Sequence, residues 1–166
     1  MATDRELLKK AQAGHVGSAG LSDPKTEVGK ANRFRVTYRK GSADTNAADN
    51  TAELCFGRLD VKAKLVEAKY TADANVAASN ANAITLIVAV RDGAGGSAAN
   101  IATVNTANAN GGGTGSLVLF QPVTITRVAA NADSCAAGSV CTLTITKANS
   151  GVVLAAGLLD CVFEAI

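Results

Sequence analysis

The residues best equipped to do chemistry in this chain are basic. Lys25, Lys30, Arg33, Arg35, Arg39 and Lys40 crowd into one short stretch, opposed there only by Glu27. Alternation across residues 32–39 puts Arg33, Arg35, Thr37 and Arg39 on one face of a strand and Phe34, Val36 and Tyr38 on the other. Arginines two residues apart on such a face stand roughly 7 Å from one another. Each guanidinium is a planar fork of donors, so the row suits carboxylates, phosphates or backbone carbonyls. After Tyr70 the basic residues are only Arg91, Arg127 and Lys147, and the net charge of the whole chain is +2. The sequence therefore reads as a basic front ahead of a nearly neutral body. A basic front binds nucleic acid, anionic lipid or an acidic protein surface. The plainer alternative is a solvated edge strand whose charges prevent sheet-to-sheet pairing.

Other chemistries lack their parts. Histidine catalysis would rest on His15 alone, in a segment (residues 14–32) with four glycines and no usable period. That is a poor seat for a rigid base, so no Ser-His-Asp or Cys-His site is expected. Asp160 and Glu164 share one face of the last strand, where a glycosidase pair would need a cleft; the solvent side of that strand is the simpler reading. Cys55, Cys135, Cys141 and Cys161 form no CxxC pair, and with a single histidine no metal site is expected. Cys55 and Cys161 fall within strand patterns and read as small core residues. Cys135 and Cys141 flank a glycine-containing turn; an oxidising medium would allow a bridge between them, and the cytosol would keep them reduced. The Gly/Asn loop at 105–115 lacks the Lys-Ser/Thr of a P-loop. No catalytic residue and no cofactor is expected, and the chain does not read as an enzyme. Its aromatics, Phe34, Phe56, Phe120, Phe163, Tyr38 and Tyr70, fall mostly on expected core faces, which weakens base stacking and sugar platforms alike.

The elements that position these residues are strands. At the end of the chain Cys141, Leu143 and Ile145 alternate with Thr142, Thr144 and Thr146, and Leu159, Cys161 and Phe163 alternate with Asp160, Val162 and Glu164. Further strands are expected over 53–59, 62–71, 83–91, 99–106 and 117–128, the last interrupted by Pro122. Over 62–71 the pattern puts Val66, Ala68 and Tyr70 on one face and Leu65, Glu67 and Lys69 on the other. The stretch 83–91 is apolar on both faces, as in the middle of a sheet or at a subunit interface. With the basic segment this makes eight strands, hence an all-β antiparallel sandwich, an eight-stranded jelly roll. The absence of tryptophan and of the usual cysteine frame disfavours an immunoglobulin-like sandwich. Residues 1–31 are expected to form an N-terminal arm. It holds a short helix over 3–12, with Thr3 and Glu6 at capping-box spacing, and then an extended, adaptable segment. The β domain follows over 32–166. No secretory signal and no membrane span is expected.

Two blocks carry a resemblance. VEAKYTADANVAASNANAITLIVAVRDGAGGSAANIATVNT (66–106) and VCTLTITKANSGVVLAAGLLDCVFE (140–164) resemble the central and terminal regions of cement, or decoration, proteins of tailed bacteriophage heads. The shared features are a Tyr before a small-residue turn, a Thr-containing apolar strand, a Gly-rich hairpin, and a Gly-x-x-x-Thr-Leu-Thr-Ile strand closed by Lys-Ala-x-x-Gly. The resemblance implies a jelly-roll homotrimer on the outside of an icosahedral capsid, made in the host cytoplasm and clamping neighbouring major capsid subunits. It implies no membrane and no direct nucleic-acid contact. Lys25, Lys30, Arg33, Arg35, Arg39 and Lys40 would meet an acidic capsid surface. A carbohydrate- or receptor-binding module of a phage fibre is the alternative, because a fold does not fix a function.

Overall fold

The computed structural model describes residues 32–44, 51–149 and 152–166, without the side chains of Thr51 and Ala52. The helix expected over 3–12 and the adaptable segment behind it lie outside the described residues. Among those residues nine strands appear: β1 (Arg33–Lys40), β2 (Thr51–Arg58), β3 (Ala63–Ala72), β4 (Ile84–Arg91), β5 (Ala99–Asn105), β6 (Pro122–Thr124), β7 (Thr126–Arg127), β8 (Val140–Lys147) and β9 (Gly157–Ala165). One helical turn, α1 (Ala129–Ala132), precedes β8. The stretch expected as one strand over 117–128 is a loop followed by β6 and β7. Pro122 opens β6 on a sheet edge, where its missing N–H costs no ladder bond.

The strands form two antiparallel sheets, ordered β1-β9-β3-β6 and β2-β8-β4-β5-β7, and the fold is an all-β sandwich. The longest ladder joins β3 to β9, from Ala63 opposite Ala165 to Ala72 opposite Gly157. In the other sheet β4 lies between β8 and β5, so this doubly apolar strand is an interior one. Inward side chains follow the period of two: Leu159, Cys161 and Phe163 from β9, Ile84, Leu86 and Val88 from β4, Cys141, Leu143 and Ile145 from β8, all fully buried. Full burial of one such Leu or Ile is worth about 1.5–3 kcal/mol, which fixes the register of each strand against a one-residue slip.

β3 departs from the simple alternation. Leu65 sits opposite Phe163, and Glu67 sits opposite Val162, the next residue along, so Val66 is a bulge without a cross-strand partner. Before the bulge Ala63 and Leu65 point inward; after it Ala68, Tyr70 and Ala72 do. Leu65 is therefore core and Val66 half-buried, the reverse of the expectation from unbroken alternation. A bulge lets two residues oppose one and changes the facing parity of the strand.

Candidate partner-binding face

The expected basic row is distributed unevenly. Lys25 and Lys30 lie outside the described residues. Arg33 opens β1 and is half-buried. Arg35 and Arg39 project from the outer side of β1 and remain mostly exposed. Each already holds an acid of its own chain. Arg35 Nη1 pairs with Asp160 Oδ2 of β9, the neighbouring strand. Arg39 donates from Nη2 to Asp73 Oδ2 at 2.5 Å and from Nη1 to Oδ1 at 3.3 Å. Lys40, with its side chain only 12% exposed, turns the other way and pairs with Asp44 at 2.8 Å.

Asp160 and Glu164 are not a free pair on a solvated face. Glu164 is buried and meets Lys64, its cross-strand partner, at 2.8 Å. Lys69 and Glu67 pair at 2.6 Å on the same strand. The outer side of this sheet and its margin thus carry Arg35, Arg39, Lys64 and Lys69 against Asp160, Asp73, Glu164 and Glu67, a balanced set of ion pairs. Local sequence could not reveal it, because Asp160 and Asp73 reach β1 only through the strand order.

The outer side of the second sheet holds one more such pair. Arg91 Nε donates to both carboxylate oxygens of Glu53, at 2.8 and 2.9 Å, and its Nη1 donates to Gly96 O at 2.5 Å. Hydrogen bonds from Arg91 and then from Thr142 hold the Glu53 carboxyl below its ordinary value. Beside them runs an open groove of about 320 Å³, lined by Glu53, Cys55, Arg91, Asp92 and Thr142. Cys55 is exposed there rather than buried: it faces outward opposite Thr142, with β2 at the sheet edge.

All four cysteines are free thiols, and the bridge expected between Cys135 and Cys141 is not formed. Cys135 follows α1, and its thiol faces the carbonyl oxygens of Asn131 at 3.7 Å and Ala132 at 4.0 Å. Cys141 sits on the inner face of β8, where burial, followed by the neighbouring Cys135 and Cys55, pushes its pKa up to about 12. Burial raises Cys135 and Cys161 as well. Thiols kept protonated in this way are poor nucleophiles and poor metal ligands. Among the described residues no three His, Cys, Asp or Glu side chains gather as a metal site.

Phe34, Tyr38 and Phe56 are half-buried, and one aromatic is openly exposed. Phe120 is 69% exposed, in contrast to Phe163 and Tyr70, which are fully buried. It borders a hollow of about 410 Å³ whose other walls are Arg39, Thr71, Asp73 and Leu158.

No family model matches the chain, and no curated protein does. Among solved structures, a chain in the structure of infectious bursal disease virus, Gx strain, is similar over 80% of this chain, with 9% identity and a TM-score of 0.37. That match spans 32% of the viral chain, so the present chain corresponds to about a third of its length. No helix among the described residues is long and apolar enough to cross a membrane.

Proposed function

We propose that this protein is a structural component of a virion, binding the outer surface of an icosahedral phage head and clamping neighbouring major capsid subunits. The observation that carries the reading is the strand order. With β7 set aside, the two sheets read β1-β9-β3-β6 and β2-β8-β4-β5. The chain crosses between sheets at β1–β2, β2–β3, β3–β4, β5–β6, β6–β8 and β8–β9, and we read this as an eight-stranded jelly roll, an architecture used by viral capsid and lectin domains. On this reading Arg35 and Arg39, exposed on β1, would meet an acidic capsid surface. Working as a homotrimer, the protein would multiply weak footholds into a firm attachment. It would stabilise the head by binding the assembled state in preference to free subunits. The test is co-sedimentation of the purified protein with assembled heads and with unassembled major capsid protein of the same phage. Binding to heads alone, with a rise in their melting temperature, is the expected result; no co-sedimentation with heads would sink the reading.

A second reading is favoured by one observation, the exposed Phe120 beside Arg39 and Asp73. An aromatic face next to a hydrogen-bonding ion pair is also what a sugar ring needs. A glycan array separates the two: a hit lost in Phe120→Ala supports a carbohydrate-binding module, and a blank array leaves the capsid reading alone.

A further inference from the structure

Asn110-Gly111 is the only Asn-Gly pair in the chain. It lies, exposed, in a single 3₁₀ turn (Ala109–Gly111) of the loop that follows β5. Such a pair carries its own electrophile and nucleophile. The side-chain amide carbon of Asn110 is next in the chain to the backbone nitrogen of Gly111, and glycine has no side chain to shield that nitrogen. In the folded protein the two are kept apart. Gly111 N–H donates to Asn108 O at 2.8 Å, and the helical backbone of the turn holds the Gly111 nitrogen away from the Asn110 side chain. Asn80, from the connection between β3 and β4, clamps the other partner. Its Nδ2 donates to Asn110 Oδ1 at 3.1 Å, and its Oδ1 accepts from Asn108 N–H at 2.9 Å. A Cβ at residue 111 would stand 2.5 Å from Asn80 Oδ1, so the clamp requires glycine there. The residue that seats the clamp is thus the one that leaves Asn110 open to attack.

We propose that Asn110 is a modification site of this protein, converting to aspartate or isoaspartate by attack of the Gly111 nitrogen, and that Asn80 sets the rate. In the step the Gly111 nitrogen gives its proton to solvent and bonds to Asn110 Cγ, and the side-chain nitrogen leaves as ammonia. The product is a cyclic imide. Water then adds to one of its carbonyl carbons. Breaking the newly made C–N bond gives aspartate, and breaking the original backbone C–N bond gives isoaspartate. Either product carries a carboxylate where an amide stood. Isoaspartate also lengthens the backbone inside the turn, against the bonds from Gly111 N–H to Asn108 O and from Gly112 N–H to Ala109 O that close it. The reaction runs from molecules in which the loop has opened, so its rate follows the open population. Gly113 N–H to Asn108 O at 3.1 Å and Thr114 N–H to Asn105 O at 2.8 Å also hold the loop shut, which keeps that population small and the site latent. This inference rests on neither the capsid nor the carbohydrate reading.

The experiment follows the full-length wild type, Asn80→Ala and Asn80→Asp through weeks at neutral pH, with the wild type unfolded in urea as the unguarded reference. Mass spectrometry with fragmentation reads the exchange of amide nitrogen for oxygen at residue 110. Each hydrogen bond of this kind favours the closed loop about 2- to 10-fold. Loss of both in Asn80→Ala should therefore speed conversion about 4- to 100-fold, toward the unfolded rate. Asn80→Asp keeps an acceptor for Asn108 N–H and loses the donor to Asn110 Oδ1, so its rate should fall between the two. It also carries the test if Asn80→Ala does not fold. A wild type that converts as fast when folded as in urea overturns the proposal, and so does an Asn80→Ala protein that converts no faster than wild type. An Asn80→Ala protein that converts more slowly overturns it as well, because the Asn80 bond would then activate the Asn110 carbonyl instead of restraining it. No conversion at residue 110 even in urea would remove the site itself.

Discussion

Asp44 is engaged by two lysines at once. Its carboxylate takes Lys147 at 2.6 Å and Lys40 at 2.8 Å, and the Lys147 side chain is 0% exposed. Backbone ties to Leu154 join the same point. Replacing Asp44 with Asn removes the carboxylate that Lys147 and Lys40 share, so the variant should lose about 1.5–3 kcal/mol of unfolding free energy in urea. The loss should also depend on pH. Burial works against ionisation of Asp44, but Lys147 and Lys40 outweigh it and hold the carboxyl below its ordinary value. Its stabilising contribution is then complete above the unfolded value of about 3.9 and disappears as pH falls through the lower folded-state value. Wild type and Asp44→Asn should therefore differ widely at pH 7 and converge on acidification below about pH 4. A gap that stayed constant with pH would assign the effect to packing instead. Half of this site was legible. Lys147 has the parity of Cys141, Leu143 and Ile145 and so had to point inward, as a cation needing an acid. Which acid was hidden, because Asp44 lies in a polar stretch whose path no periodicity describes.

At the scale of elements, strands with clean alternation were readable and their irregularities were not. β4, β8 and β9 lie where their period of two puts them. The bulge at Val66 leaves no local mark, since VEAKY reads equally well with or without a change of parity. Cys55 was misjudged for a related reason: its pattern shows a strand but not that its face is the outer one. Gly157 hides a further constraint, looking like a simple turn residue while sitting against Tyr70. A Cβ there would stand 2.6 Å from the Tyr70 ring and hydroxyl and 2.5 Å from Thr71 O. The ring cannot retreat, because it is fully buried and its hydroxyl donates to Ala155 O at 2.9 Å. Gly157→Ala should cost about 1–3 kcal/mol through overpacking. Tyr70→Phe keeps the ring, loses the hydrogen bond and leaves Ala155 O unpaired, at about 1 kcal/mol. In the double variant the ring still blocks the Cβ, so the two losses should remain close to additive in urea midpoints. Relief of the Gly157→Ala defect by Tyr70→Phe would mean that the hydroxyl alone makes the close contact.

For the whole molecule, the two-sheet sandwich was legible from strand count and spacing, whereas the neutralisation of the arginine row was not, because it depends on which strands become neighbours. That neutralisation yields a sharp prediction about any acidic partner. Arg39 is exposed but already engaged by Asp73, so a partner carboxylate must compete with Asp73 for the same guanidinium. Removing the competitor should help. Exposed ion pairs are worth about 0.2–1 kcal/mol, so on the proposed capsid reading Asp73→Asn should tighten binding to assembled heads by up to about fivefold. Arg39→Ala should weaken it, and the variant carrying both changes should behave like Arg39→Ala alone. The gain in Asp73→Asn should shrink as salt rises from 50 to 500 mM, since the screening length falls from about 14 to about 4 Å and exposed pairs are screened first. Co-sedimentation across that salt series measures all three. If Asp73→Asn instead binds less tightly, the partner is reading the acid rather than the arginine, and the face that meets it must itself be basic.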